Sequence, residues 1–156
     1  MLKYYSEANL RDIKMASNYQ GLLDVAYDVL EVMRAENPLK PIAMVCGPVS
    51  TGGAGSRQAN LKIFSRAIDR LAAGGLLIFS QMPFENDMER IFKSDPRLQG
   101  LRLLEEFYLP IFRSRDIKLM CFLPGWESST GARWEHDQAE ILKIPRIYLA
   151  QSYIDD

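Results

Sequence analysis

Glu135 stands where an apolar side chain belongs. From Ser128 to Lys143, a wheel of about 100° per residue gathers Gly131, Trp134, Ala139, Ile141 and Leu142 on one broad arc. Arg133, Asp137, Glu140 and Lys143 share the other. Glu135 falls in the middle of the apolar arc, with Gln138 beside it. A carboxylate on an inward helix face is costly unless it is paired, hydrogen-bonded or open to a cleft. Groups held that way are often the reactive ones. The structural alternative is a carboxylate that pairs with an arginine or caps a backbone group. His136, the single histidine, projects away from that arc and is expected at the surface. A Cys46–His136 nucleophilic pair is the other reactive arrangement the residue types permit.

Two loops have compositions suited to binding. Gly47-Pro48-Val49-Ser50-Thr51-Gly52-Gly53-Ala54-Gly55-Ser56-Arg57 follows a short apolar run. Its glycines let backbone N–H groups approach an anion, its hydroxyls add donors, and Arg57 brings charge to a helix N-terminus. A phosphate fits this pattern, and so does a plain mobile loop. The Gly-Lys-Ser/Thr ending of a P-loop is missing, and a strict dinucleotide fingerprint does not fit. The second loop, Pro124-Gly125-Trp126-Glu127-Ser128-Ser129-Thr130-Gly131, leads into the helix that carries Glu135. Trp126 and Trp134 can stack on a ring or form a cleft wall.

The elements that must position these loops alternate. Helices are expected over Glu7 to Met15 and from about Asn18 to Ala35, stopped by Asn37-Pro38 and Pro41. Ile42 to Cys46 reads as a strand buried on both faces. A helix marked by Leu61, Phe64, Ile68 and Leu71 ends at Gly74-Gly75, and Leu76 to Ser80 is a second buried strand. Helices over 84–94 and 98–112 are separated by Asp95-Pro96, the second bent or ended near Pro110. Ile117 to Leu123 is a strand. Ser128 to Lys143 is a helix capped by Ser128, Ser129 or Thr130, and Arg146 to Ala150 is a last strand. The pattern implies an α/β fold: a Rossmann-like (flavodoxin-like) parallel sheet of about four to five strands, with helices on both faces and an N-terminal helical arm. The expected organisation is one domain over 1–156, with the arm at 1–38 and the core at 41–151. In such sheets ligands bind beyond the carboxyl ends of the strands, where both loops fall.

Composition narrows the partners. The 156 residues carry a net charge of -1, with 47% hydrophobic and 25% charged residues. That balance is ordinary for a globular domain and provides no electrostatic footprint for a nucleic acid polymer or an anionic membrane. No run of about 18 apolar residues suggests a membrane span. The two cysteines, Cys46 and Cys121, lie in strand-like runs and are expected to be reduced in a cytoplasmic protein. With one histidine, no metal site is recognisable, and no cofactor is expected.

The residues Leu123-Pro124-Gly125-Trp126-Glu127-Ser128-Ser129-Thr130-Gly131-Ala132-Arg133-Trp134-Glu135 contain a Ser-x-Gly-x-x-x-Glu spacing in Ser129, Gly131 and Glu135. With Ile42 to Pro48 and Phe79-Ser80-Gln81-Met82-Pro83, they make the chain resemble the nucleoside 2-deoxyribosyltransferase superfamily, including its nucleotide N-glycosidase branch. It is most similar to an uncharacterised bacterial branch with a Leu-Pro-Gly-Trp motif. The resemblance runs from about Ile42 to Tyr148. It implies that Glu135 attacks the anomeric carbon of a nucleoside or nucleotide and displaces the base, and that water or a second base resolves the glycosyl-enzyme. It further implies that Ser129 and the loop with Gly47, Ser50, Thr51, Gly52, Gly53 and Arg57 hold the 5′ end, with Trp126 and Gly131 beside the substrate.

Ala43 stands where the family often has a tyrosine, and Tyr108 stands at the spacing of its acid for the leaving base. Glu105 or Glu106 would replace that acid. A shorter Pro-Gly-Gly-x-Gly-Thr-x-x-Glu motif, found in cytokinin-type phosphoribohydrolases, fits less well because Glu135 lies too far downstream. The expected partners are a small nucleoside or nucleotide and further copies of the chain. The other readings are a non-catalytic nucleotide sensor and a partner-binding protein that uses the arm.

Overall fold

The structure, a computed structural model, describes residues 2–156. Among them are a four-stranded parallel sheet and six α-helices. The strands are β1 (Ile42–Cys46), β2 (Leu77–Ile78), β3 (Ile117–Phe122) and β4 (Arg146–Tyr148). The helices are α1 (Glu7–Met15), α2 (Tyr19–Glu36), α3 (Arg57–Ala73), α4 (Glu85–Ser94), α5 (Leu109–Arg113) and α6 (Thr130–Leu142). None is long and apolar enough to cross a membrane among the described residues. The chain divides into two compact units, one from the segments up to Lys40 and Gln81–Asp116, the other from Pro41–Ser80 and Ile117–Asp156.

The second unit holds the sheet, α3 and α6. Its strand order is β2-β1-β3-β4. All five residues of β1 are buried, as a continuous apolar run in a central parallel strand requires. β1 leads through α3 to β2 on one side, and β3 leads through α6 to β4 on the other. Right-handed crossovers then put α3 and α6 on opposite faces. The chain reverses its winding between β1 and β3, which is where ligands enter sheets of this kind. Cys46 is in register with Phe122, and Phe122 with Tyr148. These three residues form one row across the carboxyl edge and share a face. β2 and β4 are shorter than the apolar runs Leu76 to Ser80 and Arg146 to Ala150, although Phe79 N–H to Ala43 O and Leu149 N–H to Phe122 O, each 2.9 Å, continue both ladders.

The first unit is helical, and in it the N-terminal segment, expected as an arm, packs with Gln81–Asp116. The Arg90 guanidinium reaches the carbonyls of Ile13, Lys14 and Ala16 at 3.4, 3.2 and 2.8 Å, closing the C-terminus of α1, where carbonyls lack helical partners. Tyr19 Oη donates to Leu98 O at 2.8 Å, and Arg34 pairs with Asp116 at 2.6 Å. Phe84, itself buried, meets Tyr5 in an edge arrangement and Phe107 at a tilt.

Pro110 does not end its helix. A π-helical turn over Leu104–Tyr108 precedes α5, which carries Pro110 in its first turn and runs on to Arg113. The helical run is unbroken there, Leu109 N–H donating to Leu104 O, so the π-helical turn is the local irregularity beside which the proline is accommodated. The stretch expected to be helical from 98 is a 3-10 turn at Pro96–Leu98, capped by Asp95, and regular helix resumes at Arg102.

Arg90→Ala removes the donor for three carbonyls at once. It is expected to destabilise the protein by about 1–2 kcal/mol, read as a lower urea midpoint with an unchanged slope.

Candidate functional site

α6 begins at Ser129, whose Oγ accepts from Ala132 N–H at 3.1 Å and which is itself buried. Its inward residues are Ala132, Glu135 and Ala139. The wheel placed Glu135 inward correctly, but the arc is narrower than the sequence suggests. Ile141 is 70% exposed, because a helix on a sheet edge buries only the stripe centred on the strands.

Glu135 is 7% exposed and is hydrogen-bonded to the Cys46 side chain at the end of β1. Burial first, then the negative charge of Glu135 and this hydrogen bond, push the Cys46 thiol up from its ordinary value. The thiol therefore stays protonated and donates to the carboxylate. Cys46 thus faces Glu135, whereas His136 packs against Trp126 and Tyr148. Cys121 is a row further back on β3, in register with Val45, so its side chain points to the other face of the sheet. Both thiols are free, and burial pushes Cys121 up to about 11.

The two loops at the carboxyl edge close on each other. Gly53 N–H donates to Ser128 Oγ at 2.9 Å, and Thr130 N–H donates to Thr51 Oγ1 at 3.0 Å. Gly52 and Gly53 have φ of +68° and +63°, a region that side chains other than glycine rarely adopt. A Cβ at Gly52 would also run into Ser128, and one at Gly53 into Asn60. Gly47 lies against Leu123 with no room for a Cβ. Ser50 is exposed, and Arg57 opens α3. Gly131, in the first turn of α6, meets little: a Cβ there would find only Ser129 Oγ, at 4.0 Å.

Asn60 holds the first loop in shape. It is 3% exposed. Its Nδ2 donates to Val49 O and Gly52 O at 2.9 and 3.1 Å, and its Oδ1 accepts from Ala54 N–H at 2.8 Å. Its position was legible, because it shares the apolar stripe of α3 with Phe64, Ala67 and Leu71. A polar residue on such a stripe needs partners.

His136 differs from the surface residue expected. Its side chain is 13% exposed and lies flat on Trp126, with ring centroids 4.3 Å apart and planes 13° apart. Its Nε2 is 2.6 Å from Tyr148 Oη, and Phe122 meets it edge-on at 5.0 Å. The wheel set His136 off the inward stripe, but the Trp126 turn and the β4 edge wrap around that side of α6.

The sheet unit thus brings together Glu135, Trp126, Ser129, Gly131 and the loop from Gly47 to Arg57. Glu105 and Glu106 belong to the helical unit. Glu105 is exposed, and Glu106 is paired with Arg102. An open groove of about 690 Å³ along α3, lined by Lys62, Arg66 and Arg70 among others, contains none of the sheet-edge residues. No family model, curated protein or solved structure matches the chain.

Asn60→Ala is expected to cost about 1–3 kcal/mol through its buried bonds and to speed amide exchange at Ala54 while leaving the strands protected. The thiols set a pH dependence. An unfolded thiol ionises near its ordinary 9.0, whereas the buried ones hold their protons. Stability from this source is complete below about pH 9 and falls as pH rises towards 11, since the native state then binds more protons than the unfolded one. Thermal melts from pH 8 to 11 check this, and the Cys46→Ser, Cys121→Ser double variant should lose less stability over that range.

Proposed function

We propose that the chain is a nucleoside or nucleotide N-glycosidase, or a 2-deoxyribosyltransferase-like enzyme, with Glu135 as the nucleophile. The observation that carries this reading is a buried carboxylate at the carboxyl edge of a parallel sheet, held by a protonated thiol where the winding reverses. A strand order of β2-β1-β3-β4 suits a Rossmann-like, flavodoxin-like fold, whose switch point lies between the first and third strands.

The roles follow from the chemistry. A glycosidic carbon becomes electron-poor as its base departs, and a desolvated carboxylate is suited to attack it. The Cys46 S–H bond aims the carboxylate without neutralising it. The N–H groups of Gly53 and Thr130, now bonded to Ser128 and Thr51 hydroxyls, are donors that a 5′-phosphate can take over at the start of α6, where the helix dipole favours an anion. Trp126, packed on His136, forms a rigid flank. Water or a second base then releases the sugar. The two free buried thiols suit a reducing, cytoplasmic setting.

Incubation with a panel of nucleosides and 5′-monophosphates, followed by chromatography for free base, tests this reading. Wild type is expected to release base, and Glu135→Ala to lower the rate by about 10³-fold or more. Release that survives Glu135→Ala removes the nucleophile from the scheme. Thermal stabilisation by a nucleotide with no released base makes the chain a sensor instead.

A further inference from the structure

Tyr148, His136 and Glu140 form a chain of groups of which the glycosidase reading uses only the His136 ring, as packing beneath Trp126. Tyr148 ends the edge strand β4 and is 59% exposed. Its Oη lies 2.6 Å from His136 Nε2. On the other side of the imidazole, Nδ1 faces Glu140 Oε1 at 3.9 Å, within ion-pair range, and Glu140 is also held by Arg146 at 3.1 Å. The ring cannot swing away, because Trp126 covers one of its faces and Phe122 meets it edge-on. An exposed hydroxyl hydrogen-bonded to a fixed imidazole repeats the nucleophile–base pair of hydrolytic sites. The packing on Trp126 and Phe122 orients the ring, and Glu140, at 3.9 Å, adds only a nearby negative charge. Here the hydroxyl is a phenol.

We propose that Tyr148 is a nucleophile assisted by His136 as general base, with activated acyl carbons as its substrates. With the His136 proton on Nδ1, towards Glu140, the lone pair of Nε2 faces the phenol. Tyr148 Oη attacks the carbonyl carbon of an activated ester and its proton passes to Nε2. The bond from the acyl carbon to the leaving oxygen then breaks, and the departing oxygen takes the proton back. The products are O-acyl-Tyr148 and the free alcohol, and the imidazole ends as it began. This site lies on the same sheet edge as Glu135 but requires nothing of the nucleotide reaction.

4-Nitrophenyl acetate tests it, with the full chain and peptide mass mapping. Wild type should acetylate Tyr148 at least about tenfold faster than Tyr27, which is 36% exposed and has no such base. A burst of 4-nitrophenol should match the label. His136→Gln should slow labelling at Tyr148 by roughly 100-fold, the scale of general-base assistance, and Glu140→Gln should slow it less. Tyr148→Phe, which keeps the ring packing, should remove the burst. Equal rates at Tyr148 and Tyr27 in wild type overturn the proposal without any variant. So does a burst that persists in Tyr148→Phe with the label on His136, or unchanged labelling of Tyr148 in a folded His136→Gln protein.

Discussion

The Cys46 thiol and the Glu135 carboxylate meet at the end of a fully buried strand, and that contact depends on where β1 ends and α6 begins. A carboxylate in such a place is tolerated only with a donor beside it. The donor must keep its proton, which burial and the neighbouring charge ensure. β1 must end at Cys46, α6 must start far enough upstream to bring Glu135 round to the sheet, and Ser129 must cap it there. The row Cys46, Phe122, Tyr148 then lies beneath α6, so that successive helix residues serve different strands. Glu135 turns to β1, and His136 turns towards β3 and β4.

The loops above this row are held by small residues and side-chain amides. Asn60 gathers the backbone of the first loop, and the positive φ of Gly52 and Gly53 lets it pass close to Ser128. The contacts from Gly53 to Ser128 and from Thr130 to Thr51 are single hydrogen bonds at exposed positions. Each contributes on the order of 1 kcal/mol or less, small enough for an anionic ligand to displace.

The strands and the long helices were legible because their burial is simple. Ile42–Cys46 is apolar throughout, and Glu7–Met15 and Tyr19–Glu36 have caps and punctuation that local chemistry explains. Glu135 was legible for the same reason, as an exception on an otherwise periodic face. What could not be read depends on distant partners. The π-helical turn before Pro110 and the docking of the N-terminal helices by Arg90 are tertiary choices. The exposure of Ile141 and the covering of His136 depend on where the edge strand runs, which no wheel contains. Asn60 lay between these cases: its stripe was visible, but its three bonds to the loop were not.

The nucleophilic role proposed for Glu135 is tested most directly by trapping. A nucleoside 5′-monophosphate with fluorine at the 2′ carbon slows release of the sugar from a covalent intermediate more than its formation. Intact-mass and peptide mapping after a short incubation should show the fluorinated sugar phosphate on Glu135, with one equivalent of free base. Base release with an unmodified Glu135 peptide, or with the sugar on another residue, would contradict the account.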